Sequence, residues 1–89
     1  MTTTTSTKTP KLRRMYRLQW EPAQSSWVLL FPEGLVKLNP SATEILRRCD
    51  GVATIDSVVE ELQVLFETPG LHAEVVGFLA RAQDRGWFE

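Results

Sequence analysis

The sequence contains few of the residues from which catalytic or metal-binding sites are built. Its 89 residues include one cysteine and one histidine, so there is no cysteine pair for a metal and no His-x-x-x-His motif. A glycine-rich phosphate-binding loop is also missing. The single histidine, His72, lies at an expected helix start with no nucleophile beside it, and the paired carboxylates Glu60-Glu61 lie on a polar helix face. We therefore expect a protein that is not an enzyme and binds no cofactor.

Long apolar runs are missing as well. No run approaches the roughly 20 residues that span a bilayer. The N-terminal stretch MTTTTSTKTPKLRR lacks the apolar segment of a signal peptide, and a single cysteine gives no internal disulfide that would favour secretion. These absences predict a cytoplasmic protein that does not contact a membrane. A chain of this length forms one domain and buries roughly 60–65% of its unfolded surface.

The small net charge of −1 conceals an uneven distribution of charge. Five cations and no acids precede residue 21, whereas the remaining chain has five basic against eleven acidic residues. The first ten residues are rich in threonine and serine and have little to bury, which is typical of disorder. We therefore predict a disordered basic N-terminal arm over residues 1–14 and one folded domain over residues 15–89. The acidic domain matches DNA poorly and would suit a basic partner surface.

Three short segments have the pattern of strands. The first alternates apolar and polar residues, which predicts that Tyr16, Leu18 and Trp20 point inward. The second is continuously apolar, and the third alternates with Val36 and Leu38 on one face. The segments are Tyr16–Glu21, Trp27–Phe31 and Leu35–Asn39, separated by the loop Pro22–Ser26 and the turn Pro32–Gly34. Their spacing predicts a three-stranded antiparallel sheet.

Three helices are expected after the sheet. The first should cover Ala42 to Cys49, with Pro40 ending the preceding strand and Ser41 and Glu44 forming a capping box. The second follows a Thr54 N-cap, and its apolar stripe is Ile55, Val58, Val59, Leu62, Leu65 and Phe66. The third runs from about His72 to Arg85, after which Trp87 and Phe88 should fold back onto the core. The expected class is α+β, a winged-helix-like domain in which the sheet is followed by three α-helices.

Five short segments follow one another in a characteristic order within a span from about Arg17 to Trp87. They are Trp20-Glu21-Pro22, Trp27 to Gly34, Leu38-Asn39, Cys49-Asp50-Gly51 and Gly86-Trp87. This ordered set resembles the PqqD family. Members of that family are small, winged-helix-like peptide chaperones of pyrroloquinoline quinone (PQQ) biosynthesis. The resemblance implies that the chain binds the precursor peptide PqqA and presents it to the radical S-adenosylmethionine enzyme PqqE. It also implies that the chemistry and its cofactors belong to the enzyme.

The resemblance also implies that a peptide is held by strand addition. If the third strand lies at a sheet edge, its free backbone groups can pair with an extended peptide. The third helix is apolar over a wide arc, which suggests a groove beside that edge. The predicted peptide-binding residues are Val36, Lys37, Leu38 and Asn39 on the strand and Val75, Val76, Phe78, Leu79 and Ala82 on the helix. Lys37, Arg81 and Arg85 could attract acidic residues of the peptide.

Two questions stay open at this point. Winged helices often bind DNA, so a DNA-binding regulator is the alternative function, although the expected second helix is acidic and basic side chains come only late in the third. An unused edge strand and an N-terminal arm also invite a homodimer in a crystal, while a monomer could be the working form.

Overall fold

The computed structural model describes residues 8–89 of the chain. Three strands precede three helices: β1 (Arg17–Glu21), β2 (Ser26–Phe31), β3 (Gly34–Leu38), α1 (Pro40–Arg47), α2 (Ile55–Leu65) and α3 (His72–Asp84). The strands form one antiparallel sheet in the order β1-β2-β3. The predicted class, a three-stranded antiparallel sheet followed by three helices, is therefore confirmed.

The side chains of the central strand β2 alternate between the two faces of the sheet. Cross-strand partners share a face, so Leu29 lies beside its partners Leu18 and Val36. Leu29 has no exposed surface and belongs to the hydrophobic core, which places this face against the helices. We call it the core face. Helix α1 contacts all three strands.

One end of the core face is less covered than the alternation predicted. Trp20 lies on this face with its partner Trp27, as the alternation predicted, but 46% of Trp20 is exposed, so the helices do not cover it. The two indole rings meet edge to face with their centroids 6.0 Å apart. The guanidinium of Arg47 lies 4.8 Å from the Trp27 ring centroid. An exposed Trp20 follows because α1 brings an arginine, rather than an apolar side chain, to this end of the sheet.

Helix α1 begins two residues earlier than predicted and has a different cap. The Oδ1 atom of Asn39 accepts a hydrogen bond from the Ala42 N–H at 2.7 Å, so Asn39 is the N-cap and the predicted Ser41 capping box is wrong. Pro40 takes the first helical position, where a missing N–H costs nothing and a preset φ favours the helix. Thr54 is the N-cap of α2 as predicted, because its hydroxyl oxygen accepts a hydrogen bond from the Ser57 N–H at 3.1 Å.

The core joins the sheet to all three helices. Its buried side chains include Ile45 and Leu46 from α1, Val58, Val59 and Leu62 from α2, and Val75, Leu79 and Ala82 from α3. The predicted apolar stripe of α2 continues beyond this core, where Leu65 and Phe66 are 49% and 38% exposed. Cys49 is buried, and this burial raises the pKa of its thiol to about 12.

The segment that precedes the sheet pairs with the end of the chain. Lys11 bridges Asp50, and Leu12 bridges Phe88, both in antiparallel fashion. The backbone hydrogen bonds of this segment are Gly51 N–H to Pro10 O, Ile55 N–H to Lys8 O, Arg13 N–H to Trp87 O and Glu89 N–H to Lys11 O, at 2.9–3.1 Å. We call residues Lys8–Arg13 the terminal strap.

The terminal strap differs from the predicted disordered arm over residues 1–14. Its order rests on backbone pairing, which a polar composition does not reveal, and on the half-buried side chain of Leu12. The first part of the predicted arm, Met1–Thr7, lies outside the described residues. Trp87 and Phe88 fold back onto the core as predicted, with 6% and 2% of their surface exposed.

The cap of α1 gives a direct test of this local structure. Replacing Asn39 by alanine should lower the free energy of unfolding by about 1 kcal/mol, because the Ala42 N–H loses its acceptor. Ser41→Ala is the matched control, and it should change the stability by less than about 0.5 kcal/mol. Thermal or urea unfolding measures both. An equal loss in Ser41→Ala would show that the capping box forms after all.

Candidate functional site

The outer edge of β3 carries backbone groups that face away from the sheet. In the described part of the chain, β3 has a neighbour, β2, on one side only. The two-residue turn Pro32-Glu33 makes Phe31 and Gly34 a hydrogen-bonded pair, and such pairs alternate along an antiparallel ladder. Val36 and Leu38 therefore direct their backbone groups to β2. The N–H and C=O groups of Leu35 and Lys37 point outward, where another strand can pair with them.

Two hollows lie near this edge. The first, beside Val36 of β3, is lined by Arg13, Tyr16, Phe31, Glu33, Val36, Arg85, Gly86 and Trp87. The second, between the helices and next to the end of β3, is lined by Asn39, Ser41, Ala42, Ile45, Leu62, Phe66, Thr68, Leu71, Ala73, Glu74, Val75, Gly77, Phe78 and Arg81. The ring of Trp87 in the first hollow meets the ring of Phe78 in the second edge to face, with the centroids 6.3 Å apart, so the two hollows are neighbours. We call the two hollows together the edge groove, and each of them one end of it.

The four residues predicted on the strand have different surroundings. Val36 is half-buried and lines the edge groove. Asn39 is exposed and lines its other end, where it also caps α1. Lys37 is exposed on the face opposite the core and contributes outward backbone groups. Leu38 is 7% exposed and belongs to the core, so its side chain supports the strand from beneath.

The five residues predicted on α3 divide between three surfaces. Phe78 lines the edge groove, and Val75 lies at its base with 2% of its surface exposed. Leu79 and Ala82 are buried in the core, with 5% and 2% exposed. Val76 is 38% exposed and lies on the far side of α3, beside the terminal strap. The structure therefore brings Phe78 and Val75 to the groove but not the other three.

Apart from Phe78 and the buried Val75, the residues of the wall that α3 presents to the groove lie one position before or after the predicted stripe. The wall comprises Glu74, Gly77, Phe78 and Arg81, with Arg85 after the end of the helix. A step of one residue turns a helix by roughly 100°, from the core side to the groove side. The apolar spacing identified the buried side of α3, and it did not detect the side that lines the groove because that side carries polar residues.

Residues outside the predicted set also build the groove. Trp87, Tyr16 and Phe31 form the floor of one end, and the rings of Tyr16 and Phe31 stack at 5.2 Å. Gly77 keeps the α3 wall low, and its signal in the sequence is a glycine in the middle of a helix. A Cβ atom at Gly77 would meet the Arg81 side chain at 3.5 Å, an ordinary contact, so packing does not demand glycine there.

The rim of the groove carries more positive than negative side chains. Arg13, Arg81 and Arg85 lie on it with two acids, Glu33 and Glu74. The ion pairs among residues 8–89 involve Arg48 with Glu44 and Glu61, and His72 with Asp56, and none of them lies on this rim. The rim cations are therefore available to a ligand with negative charge.

Two further properties concern the described residues as a whole. No group of three or more histidine, cysteine, aspartate or glutamate side chains among them could hold a metal ion. No helix among them is long and apolar enough to span a membrane.

The fold is shared with a solved recognition domain. The solution NMR structure of the PqqD truncation of Methylobacterium extorquens PqqCD superimposes with a TM-score of 0.80 at 24% sequence identity. The match covers 96% of this chain and 93% of the other. That protein is described as a stand-alone recognition element for ribosomally synthesised and post-translationally modified peptides. The likeness shows a common fold of a sheet followed by three helices.

Sequence comparison gives the family. The profile of Coenzyme PQQ synthesis protein D (PqqD) matches residues 26–87. The chain is 48% identical to the PqqA binding protein of Azotobacter vinelandii over all of this chain and 98% of that protein. It is 45% identical to the PqqA binding protein of Stutzerimonas stutzeri, over 93% and 91% of the two chains. The chain belongs to the PqqD family, which confirms the resemblance seen in the sequence.

Proposed function

We propose that this chain is a peptide chaperone of PQQ biosynthesis that binds the precursor peptide PqqA as a fourth strand on β3. The observation that carries the proposal is that the backbone N–H and C=O groups of Leu35 and Lys37 face outward beside the edge groove. Support also comes from relatives that are named PqqA binding proteins and match nearly their full length. We place this function in the cytoplasm, where the chaperone presents the peptide to the radical S-adenosylmethionine enzyme PqqE.

Strand addition divides the work of binding between backbone and side chains. The N–H and C=O groups of Leu35 and Lys37 pair with the peptide backbone and supply affinity without reading its sequence. Alternate side chains of the peptide point to opposite faces of the extended sheet. Those opposite Val36 and Leu38 share the core face and enter the edge groove, where they can be selected.

The chaperone contributes position rather than chemistry. A peptide held on β3 is delivered at a high effective concentration to an enzyme that binds the same chaperone. We assign the chemistry and its cofactors to PqqE and no bound cofactor to this chain. The DNA-binding alternative gains no support, because Glu60 and Glu61 lie exposed on α2, Glu67 lies exposed just after it, and all three would repel phosphates.

A proline at Lys37 tests the backbone pairing. Lys37→Pro removes an outward N–H and should weaken PqqA binding by at least about tenfold, since one peptide hydrogen bond is lost and the ring obstructs the edge. The helical circular dichroism should persist, because edge strands tolerate proline where no ladder bond is broken. Lys37→Ala is the matched control, and it should bind within about threefold of wild type by calorimetry. Wild-type affinity in Lys37→Pro would rule out strand addition at this edge.

A bulky side chain at Gly77 tests the groove itself. Gly77→Leu should weaken PqqA binding by about tenfold or more, because leucine would occupy the space above the low wall of α3. Ala80→Leu places the same side chain on the far side of the helix and should leave affinity within about twofold of wild type. Both variants can be compared by titration with fluorescent PqqA. Equal effects at the two positions would argue against peptide binding in the edge groove.

A further inference from the structure

One end of the edge groove holds two arginines above an aromatic floor. The N–H of Arg13 donates to the Trp87 carbonyl at 2.9 Å, and its Nε donates to the Phe88 carbonyl at 3.3 Å. The terminal strap thereby positions the Arg13 guanidinium on the rim. Its Nη atoms enter none of the ion pairs formed within residues 8–89.

The second arginine faces the same hollow from the end of α3. The Arg85 guanidinium lies 5.8 Å from the centroid of the Trp87 ring, close enough for a cation–π contact that holds it over the floor. Arg13 and Arg85 both line this end of the groove with Val36. Glu33 is the acid that lines the same hollow, so its lining carries two cations and one anion, while Glu89 lies with Arg13 and Glu33 in the adjoining hollow.

The register of an added strand decides which peptide side chain would enter this hollow. A residue paired opposite Val36 shares the core face with it and therefore points toward Arg13 and Arg85. The next side chain on that face belongs to the residue two positions along, opposite Leu38. There the lining is mixed, and its large accessible apolar side chains are Phe66, Leu71 and Phe78.

From this arrangement we propose that the Arg13–Arg85 end of the groove is a subsite for a side-chain carboxylate of the guest peptide. The subsite accepts an aspartate or glutamate that lies two residues from an apolar side chain, and that apolar side chain occupies the Phe78 end. Guanidinium groups suit this ligand because they form charge-assisted hydrogen bonds to carboxylates. The inference rests on the proposed function, and it adds a sequence requirement to a backbone pairing that has none.

The test combines arginine variants with an amide scan of PqqA. Synthetic PqqA peptides, each with one aspartate or glutamate replaced by asparagine or glutamine, are titrated against wild type and Arg85→Gln. One replacement should weaken wild-type binding by about fivefold, the range of partly exposed charge pairs. The same replacement should have little effect on binding to Arg85→Gln, because that variant has already lost the interaction between Arg85 and the peptide carboxylate. Arg13→Gln should behave as Arg85→Gln does.

A matched control distinguishes a specific carboxylate subsite from a non-specific effect of removing one positive charge. Arg14→Gln removes the same charge from an exposed neighbour that does not line this hollow, and it should bind PqqA as wild type does. The Arg13 side chain also donates a hydrogen bond to the Phe88 carbonyl, so Arg13→Gln could lower stability. Arg85 has no such bond among the described contacts, and Arg85→Gln is therefore the variant that tests the subsite if Arg13→Gln is unstable. An equal loss in Arg14→Gln, or an amide scan with no position coupled to Arg85, overturns the carboxylate subsite and leaves strand addition intact. A wild-type chain that binds no PqqA overturns both proposals.

Discussion

Strand β2 is hydrogen-bonded on both sides, and this double pairing decides how the edge of β3 is presented. Because the backbone N–H and C=O groups of Val36 and Leu38 are hydrogen-bonded to β2, those of Leu35 and Lys37 face outward. The same register turns the side chains of Val36 and Leu38 toward the core face, where Leu29 is completely buried. A slip of one residue would turn every side chain over and would expose the core side. The buried core therefore fixes which backbone groups a partner strand can reach.

The groove beside that edge is made from both ends of the chain. Trp87 lies in the floor, and the terminal strap bonds to it and to the residues that follow. The strap also brings Arg13 to the rim opposite Arg85. Removal of the segment that precedes the sheet would thus affect the site as well as the fold. The terminal strap, whose composition resembles that of a disordered tail, thus supplies one of the residues that line the candidate site.

Most of the fold could be predicted because the signals were local. Alternation and apolar runs gave the three strands, and the 3.6-residue period gave three helices. The exceptions involve competition between neighbours: Ser41 has the capping-box pattern, but Asn39 stands before a proline that suits the first helical turn. The ordered strap was missed because its backbone bonds join residues far apart in sequence, which local composition does not record.

The strand side of the candidate site could be predicted from the sequence, whereas the helix side could be predicted only in part. Edge-strand reasoning found Lys37 and the lining residues Val36 and Asn39, because an open edge follows from strand order. Apolar spacing on α3 found residues such as Leu79 that are buried, since the strongest hydrophobic stripe packs inward and a binding wall is mixed. Trp87 could be placed on the core but not on the groove, because its position depends on tertiary packing.

Backbone pairing on β3 is the central claim, and amide hydrogen exchange measured by NMR tests it residue by residue. In the free protein the Val36 and Leu38 amides should exchange slowly and those of Leu35 and Lys37 quickly. Saturation with PqqA should slow exchange at Leu35 and Lys37 while the groove residues Gly77 and Phe78 shift. If PqqA binds and the Leu35 and Lys37 amides still exchange as in the free protein, the peptide is not a fourth strand and the account is wrong.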